Sequence, residues 1–387
     1  FLNVHDGIRR TFAAWTTPGD VLAEIMTWIE TSRPDFSSLL LQYLQKELRR
    51  DQFAKLEQAG HLNDNPISLA NVFLDLPVID APLDVDLNWS DIEVDIDDCP
   101  GFVEQLINEA CVPIRQWTGG GDSDAGSARG RRDGRIVLLG GPGQGKTTVG
   151  QFVCQLFRAR ILTDCDATQI EAQVAEACHL IVHEVQIRDQ SLPGCKRLPI
   201  RIVLSEFAAD LAKDHQLSLL AYITSRLNVR AVNHVSPEDV ANLLRGYPFI
   251  LVLDGLDEVP ASSNRDVLLE ALADFEADIA SYKMDAFILV TTRPQGYNED
   301  LSPKYYQHRV LVPLDEELAL RYGKKLTEVK YATDEDRIEK ILKRLEYAAS
   351  HEATSRLMQS PLQITIMTFL VDQYGHPPED NAVKLET

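Results

Sequence analysis

Ile136-Val-Leu-Leu-Gly140-Gly-Pro-Gly-Gln-Gly145-Lys146-Thr147 is the stretch on which the fold turns. Four apolar residues read as a short strand. The next eight match G-x-x-x-x-G-K-[ST] at every fixed position, and a helical segment, roughly Thr147–Arg160, follows. Glycines in such a loop let successive backbone N–H groups turn inward around phosphate oxygens, at the positive end of a helix. Gly140, Gly141, Pro142, Gly143, Gln144, Gly145, Lys146, Thr147 and Thr148 are therefore the predicted phosphate cradle. Lys146 can reach β- and γ-phosphates, and the Thr147 hydroxyl can ligate Mg²⁺.

Working outward, a second apolar strand ends in acid: Phe249-Ile-Leu-Val-Leu-Asp254-Gly-Leu-Asp257-Glu258. Asp254 is the expected second Mg²⁺ ligand, direct or through water, and the ion's charge would keep it ionised. Glu258 or Asp257 can position or deprotonate an attacking water. A third strand, Phe287-Ile-Leu-Val-Thr291-Thr292-Arg293-Pro294, carries an arginine to its carboxyl edge, where a parallel sheet opens its ligand crevice. Arg293 is expected to face the γ-phosphate; the competing reading is a surface arginine. No N-K-x-D element appears, which argues against guanine specificity.

The surrounding pattern is α/β. Apolar runs at Ile136–Leu139, Ile200–Leu204, Phe249–Leu253, Ala286–Thr291 and Val310–Val312 alternate with helical segments at Thr168–Arg188, Ser205–Leu227, Pro237–Arg245 and Arg265–Tyr282. Continuous apolar strands spaced by helices predict a parallel sheet covered on both faces. Ile200–Leu204 lies between the two nucleotide motifs in sequence. That suggests the P-loop division in which a strand is inserted between the two Walker strands and a glutamate follows the second. After Pro313 the pattern is helical through Tyr374.

Residues 1–60 read as a helical region, with Leu22, Ile25, Met26 and Ile29 at helical spacing and Leu39–Leu56 continuing it. No chemistry is assigned to it. Residues 61–134 read as an acidic connecting segment. It holds an alternating stretch at Leu83–Trp89 and a Gly/Ser-rich loop ending in Arg129, Arg131 and Arg132. The expected division is 1–60, 61–134, a nucleotide domain at 135–313 and a helical domain at 314–387.

Composition narrows the partners. Thirty-eight Lys and Arg against 59 Asp and Glu leave a net charge of −21, which argues against a broad nucleic-acid or anionic-membrane surface. Six cysteines without a C-x-x-C pair or zinc spacing suit reduced thiols and a cytoplasmic protein. No run reaches the roughly 18 apolar residues of a membrane span. His179 and His183, four apart on a helix, read as ordinary structural or helix-surface histidines rather than a metal site.

Across about Arg135–Asp372 the chain resembles the NACHT family of STAND NTPases. The most specific element is Asp254-Gly255-Leu256-Asp257-Glu258, with Gly255 where the related NB-ARC group has a second Asp. Thr291-Thr292-Arg293-Pro294 resembles the family's sensor element. Ser360-Pro361-Leu362 resembles its helical-domain proline motif, which would set Pro361 against adenine; a proline opening an apolar core helix is the competing reading. Asn71–Val78 is similar to the segment that precedes bacterial NACHT cores. No winged-helix histidine is visible.

The resemblance implies an ADP-held, ATP-activated switch that self-associates into an oligomer. It would serve an effector and sensor outside this chain, in antiphage defence, with an activating trigger such as a viral protein. An AAA-like motor and an assembly module that binds ATP without hydrolysing it are the rival readings.

Lys146→Ala should reduce ATP affinity about tenfold or more, because a charged hydrogen bond to phosphate contributes roughly 1.5–3 kcal/mol. Calorimetric titration measures it, and unchanged affinity would remove the phosphate-loop assignment.

Overall fold

The computed structural model describes residues 36–54, 67–81, 101–114, 134–188, 190–228, 234–260, 264–295 and 297–374. The helical spacing at Leu22–Ile29, the alternation at Leu83–Trp89 and the arginines at 129, 131 and 132 lie outside them.

Before the nucleotide motifs come α1 (Phe36–Asp51), the single turn α2 (Leu69–Val72), β1 (Val78–Asp80) and α3 (Phe102–Ala110). Then β2 (Arg135–Leu139) delivers the glycine-rich loop to α4 (Lys146–Leu162), followed by α5 (Ala172–Ile187) and β3 (Leu198–Val203). The single helix expected over Ser205–Leu227 is two, α6 (Leu204–Leu211) and α7 (Leu219–Asn228). The polar run Lys213-Asp-His-Gln216 is exposed and offers no apolar side chain to bury, so the helix stops there. The segment expected from Thr168 starts later. Asp166 caps a 3₁₀ turn at Ala167–Gln169, and α5 begins only at Ala172.

Next come α8 (Pro237–Gly246), β4 (Phe249–Asp254), α9 (Arg265–Tyr282), β5 (Ala286–Thr292) and β6 (Gln307–Leu311). Ser236 and Asp239 close a reciprocal capping box on α8, and Pro237 supplies the helical φ of its first turn. The helical end of the chain is α10 (Glu316–Lys330), α11 (Glu335–Ser350), α12 (Glu352–Ser355) and α13 (Pro361–Tyr374). Among these, α10, α11 and α13 pack on one another.

The six strands form one sheet in the order β1-β6-β2-β5-β4-β3. Every pairing is parallel except β1 with β6 at one edge. All residues of β4 and β5 are buried, and since side chains alternate between faces, both faces of the sheet centre are covered. This is the P-loop NTPase fold: a parallel sheet with the phosphate loop at the carboxyl end of a central strand. The strand inserted between the two Walker strands is β5, from later in the chain. The segment near Ile200–Leu204 instead takes the far edge as β3. Helices make the crossovers from β2 to β3, β3 to β4 and β4 to β5, whereas the connection from β5 across β2 to β6 carries none.

The stretch read as an acidic connector contributes structure to this core. Val78–Asp80 extends the sheet, with Val78 opposite Leu311. Asp75 reaches across to the first turn of α3, where its two carboxylate oxygens accept the N–H groups of Val103 (2.8 Å) and Glu104 (3.0 Å). Burial outweighs those two bonds and raises its carboxyl to about 6. The folded chain thus holds this proton to higher pH than the unfolded one. Between about pH 4 and 6 the folded state binds more protons, and stability falls as pH rises. Wild type should lose melting temperature relative to Asp75→Asn across that window and hold a constant difference above it. Calorimetric scans of both chains from pH 4 to 8 measure this.

Candidate functional site

The phosphate loop joins the end of β2 to the first turn of α4, and its geometry follows from its glycines. Gly143 has φ 74°, and a Cβ there would lie 2.9 Å from Leu362 Cβ, so both backbone and neighbour exclude a side chain. The Gly143 carbonyl accepts the Leu362 N–H at 3.3 Å. Lys146 Nζ donates to the Gly140 carbonyl (2.6 Å) and the Gly141 carbonyl (3.1 Å). Gln144 Oε1 accepts the Gly141 N–H at 2.5 Å. Burial lowers the Lys146 ammonium below the usual lysine value; Asp257, Asp254 and Glu258 oppose that, and Arg293 adds to it.

Asp254 closes β4 and is 3% exposed. Its Oδ1 accepts from Thr147 Oγ1 (3.1 Å) and from Thr291 Oγ1 (2.8 Å). Thr291 in turn accepts the Gly255 N–H at 2.9 Å. Asp254 Oδ2 pairs with Arg201 Nη2 of β3 at 2.7 Å. The two residues read as metal ligands, Thr147 and Asp254, are thus in direct contact. Their donor set is all oxygen and partly anionic, which suits a hard cation such as Mg²⁺.

Gly255 turns the chain out of the sheet at φ 82°, a conformation a second Asp in that place would resist. One 3₁₀ turn later the two acids diverge. Asp257 is committed to Arg293: its Oδ1 accepts the Arg293 N–H (3.1 Å) and its Oδ2 pairs with Arg293 Nε (2.8 Å). Glu258 is exposed on the cleft and accepts from Ser205 Oγ at 3.3 Å. Only Glu258 keeps a carboxylate free to turn toward a water, so the pair left open by the motif divides into an arginine clamp and a candidate base. Arg293 borders the cleft and is 46% exposed, tied to Asp257 rather than extended alone toward the phosphate loop.

These residues share a cleft of about 350 Å³. Its lining combines polar groups, from Lys146, Thr147, Thr148, Asp254, Glu258 and Arg293, with apolar ones, from Phe73, Leu74, Leu76, Tyr322, Pro361 and Leu362. Gly143 and Gly145 line the same cleft, whereas Gly140, Gly141 and Gln144 border a smaller cavity of about 80 Å³ beside Pro294. Pro361 opens α13 over the loop, with a Cβ on Gly145 falling 3.9 Å from Pro361 Cγ. His179 and His183 are exposed on α5, and no group of three or more His, Cys, Asp or Glu able to hold a metal occurs among the described residues. No helix among them is long and apolar enough to cross a membrane.

Sequence reasoning missed Arg201, the Thr291 hydroxyl's role and the Leu69–Leu76 wall. Arg201 did leave a signal: an arginine inside the apolar run Leu198-Pro-Ile-Arg-Ile-Val203 must find an anion when the strand is buried.

No protein-family model matches this chain, and no curated protein matches it. Among solved structures it is similar to the replication initiator DnaA bound to AMPPCP and single-stranded DNA, at 12% identity and TM-score 0.34, over 73% of this chain and 64% of that one. Caenorhabditis elegans PCH-2 is similar at 12% and 0.33, over 69% and 65%. The HORMA:CdnC:Trip13 complex of Escherichia coli MS115-1 is similar at 12% and 0.35, over 80% and 98%. The chain thus spans under two thirds of the first two. Likenesses this distant carry no argument, and the reading of the site rests on its own geometry.

If Glu258 is the base, Glu258→Gln should slow ATP hydrolysis about 10²–10⁴-fold while nucleotide affinity stays within a few-fold. Asp257→Asn, which releases Arg293, should cost less turnover. Single-turnover assays on both variants decide it, and the reverse order would move the base to Asp257.

Proposed function

We propose that this chain is an ATP-binding, slowly hydrolysing switch of the NACHT-type STAND class. The observation that carries this reading is the contact between the loop and the helical end of the chain: Leu362 N–H on the Gly143 carbonyl, with Pro361 against Gly145. A phosphate loop held by the first turn of α13 ties nucleotide occupancy to the seating of the helices that follow. A ligand shifts such an equilibrium only through different affinities for the two arrangements.

In this reading adenine packs on the apolar part of the cleft lining, to which Phe73, Leu74, Leu76, Pro361 and Leu362 contribute. Lys146 and the loop N–H groups take the phosphates, in ATP and ADP alike. Thr147 and Asp254 would hold Mg²⁺, which supplies charge neutralisation at the β- and γ-phosphate oxygens. Thr291 and Arg201 fix the Asp254 rotamer. Glu258 orients and deprotonates water, and Arg293, braced by Asp257, responds to the added charge of ATP.

The domain division is a nucleotide domain over 135–313 and a helical domain from 314, with α1 and α3 packed against the first and α2 packed against α5 of the first and α10 of the second. Self-association, an effector and sensor outside this chain, a viral trigger and a cytoplasmic setting belong to the same proposal.

Arg293→Ala should weaken ATP binding or ATP-driven assembly by about 1–3 kcal/mol, the usual range of coupling energies, and leave ADP affinity nearly unchanged. Calorimetry with each nucleotide and light scattering with ATP test both halves. Equal losses would make Arg293 structural; rapid multiple turnover by wild type would favour a motor instead.

A further inference from the structure

Asp51, the last residue of α1, is buried beneath the nucleotide site. Its Oδ2 pairs with Arg158 Nη1 of α4 at 2.9 Å, and its Oδ1 lies 3.4 Å from Arg201 Nη1. Arg201 reaches Asp254 with its other terminal nitrogen, at 2.7 Å. Arg158, Asp51, Arg201 and Asp254 thus alternate in sign along one buried line, each side chain at most 4% exposed. The helix of the phosphate loop is built to hold this line. Thr147, Gln151, Gln155 and Arg158 follow one another at helical spacing on one face. Gln151 and Gln155 both donate to the Asp51 carbonyl, and Arg158 donates to the Glu47 carbonyl at 3.3 Å. Thr147 meets Asp254 at one end of this face, and the three buried polar residues after it, Gln151, Gln155 and Arg158, all reach the end of α1.

We propose that Asp51 is a positioning residue that couples the seating of α1 to cation binding at the nucleotide site, acting through Arg201 on Asp254. The inference rests on the Mg·ATP reading of that site. Arg201 is shared between two carboxylates, and a cation that engages Asp254 competes with Arg201 for it. As Arg201 yields Asp254, its charge falls to Asp51 and holds α1 more firmly. Linkage is reciprocal: loss of the Asp51 charge leaves Arg201 wholly to Asp254 and opposes the cation. Asp51→Asn keeps the shape and the backbone contacts, removes the charge and replaces one carboxylate acceptor facing the arginines with an amide donor.

Mg²⁺ titrations of the full chain saturated with AMPPCP, followed by calorimetry, provide the test. Asp51→Asn should raise the Mg²⁺ requirement about 5- to 10-fold. Its affinity for AMPPCP in EDTA should stay within about twofold, since the loop N–H groups and Lys146 are untouched. In an Arg201→Met background, Asp51→Asn should change the Mg²⁺ requirement little, because the carrier of the effect is gone. Wild type alone gives a second reading. Amide exchange over residues 36–51 should slow when Mg²⁺ is added to the AMPPCP-bound chain, whether or not the variants fold.

An Asp51→Asn shift that persists with Arg201→Met, a parallel loss of metal-free affinity, or unchanged exchange in α1 overturns the coupling while leaving the nucleotide reading intact. Failure of wild type to bind AMPPCP at all overturns both.

Discussion

Everything in this molecule is arranged around one buried carboxylate. Asp254 ends a strand whose six residues are all inaccessible. A charge in that position must be satisfied by neighbours, because leaving it unpaired would cost several kcal/mol. It is satisfied on one oxygen by two hydroxyls, from Thr147 and Thr291, and on the other by Arg201. Those three partners come from the start of α4, the end of β5 and the middle of β3. Meeting the needs of Asp254 therefore fixes the phosphate loop, the central strands and one sheet edge relative to one another.

The same arrangement explains why the cleft needs elements outside the sheet. A parallel sheet gathers its polar groups at the carboxyl ends of its strands and supplies little apolar wall there. That wall comes from the Leu69–Leu76 segment and from the first turn of α13, more than 280 positions apart in sequence. Phe73 is anchored by stacking on Phe152 of α4, with ring centroids 3.8 Å apart. The N-terminal segment is thus fastened to the same helix that carries the phosphate loop. Movement of either wall changes the pocket.

Much of this was legible in the chain itself. The glycine spacing at 140–147 needs no tertiary context, since positive φ and close phosphate approach are local demands. The continuous apolar runs at 249–253 and 286–290 announced buried parallel strands for the same reason. Where an expectation erred, the error was one of partnership or local polarity. The segment near Ile200–Leu204 was rightly a strand, but its place at the edge depends on which neighbours offer open backbone. The helix expected over Ser205–Leu227 broke at a polar run whose exposure only packing reveals.

The sequence by itself determined the five parallel strands, the glycine-rich loop, the acid at the end of β4 and the arginine at the end of β5, because each is a short-range pattern tied to backbone geometry. It left Asp257 and Glu258 interchangeable and Arg201, Asp51 and Arg158 without a role. Only the tertiary structure divided the two acids, by giving Asp257 to Arg293, and only it brought a helix near the N-terminus beneath the Walker strand. The physical reason is that a charge carries no record of its partner. Burial makes pairing obligatory, and the fold alone decides with whom.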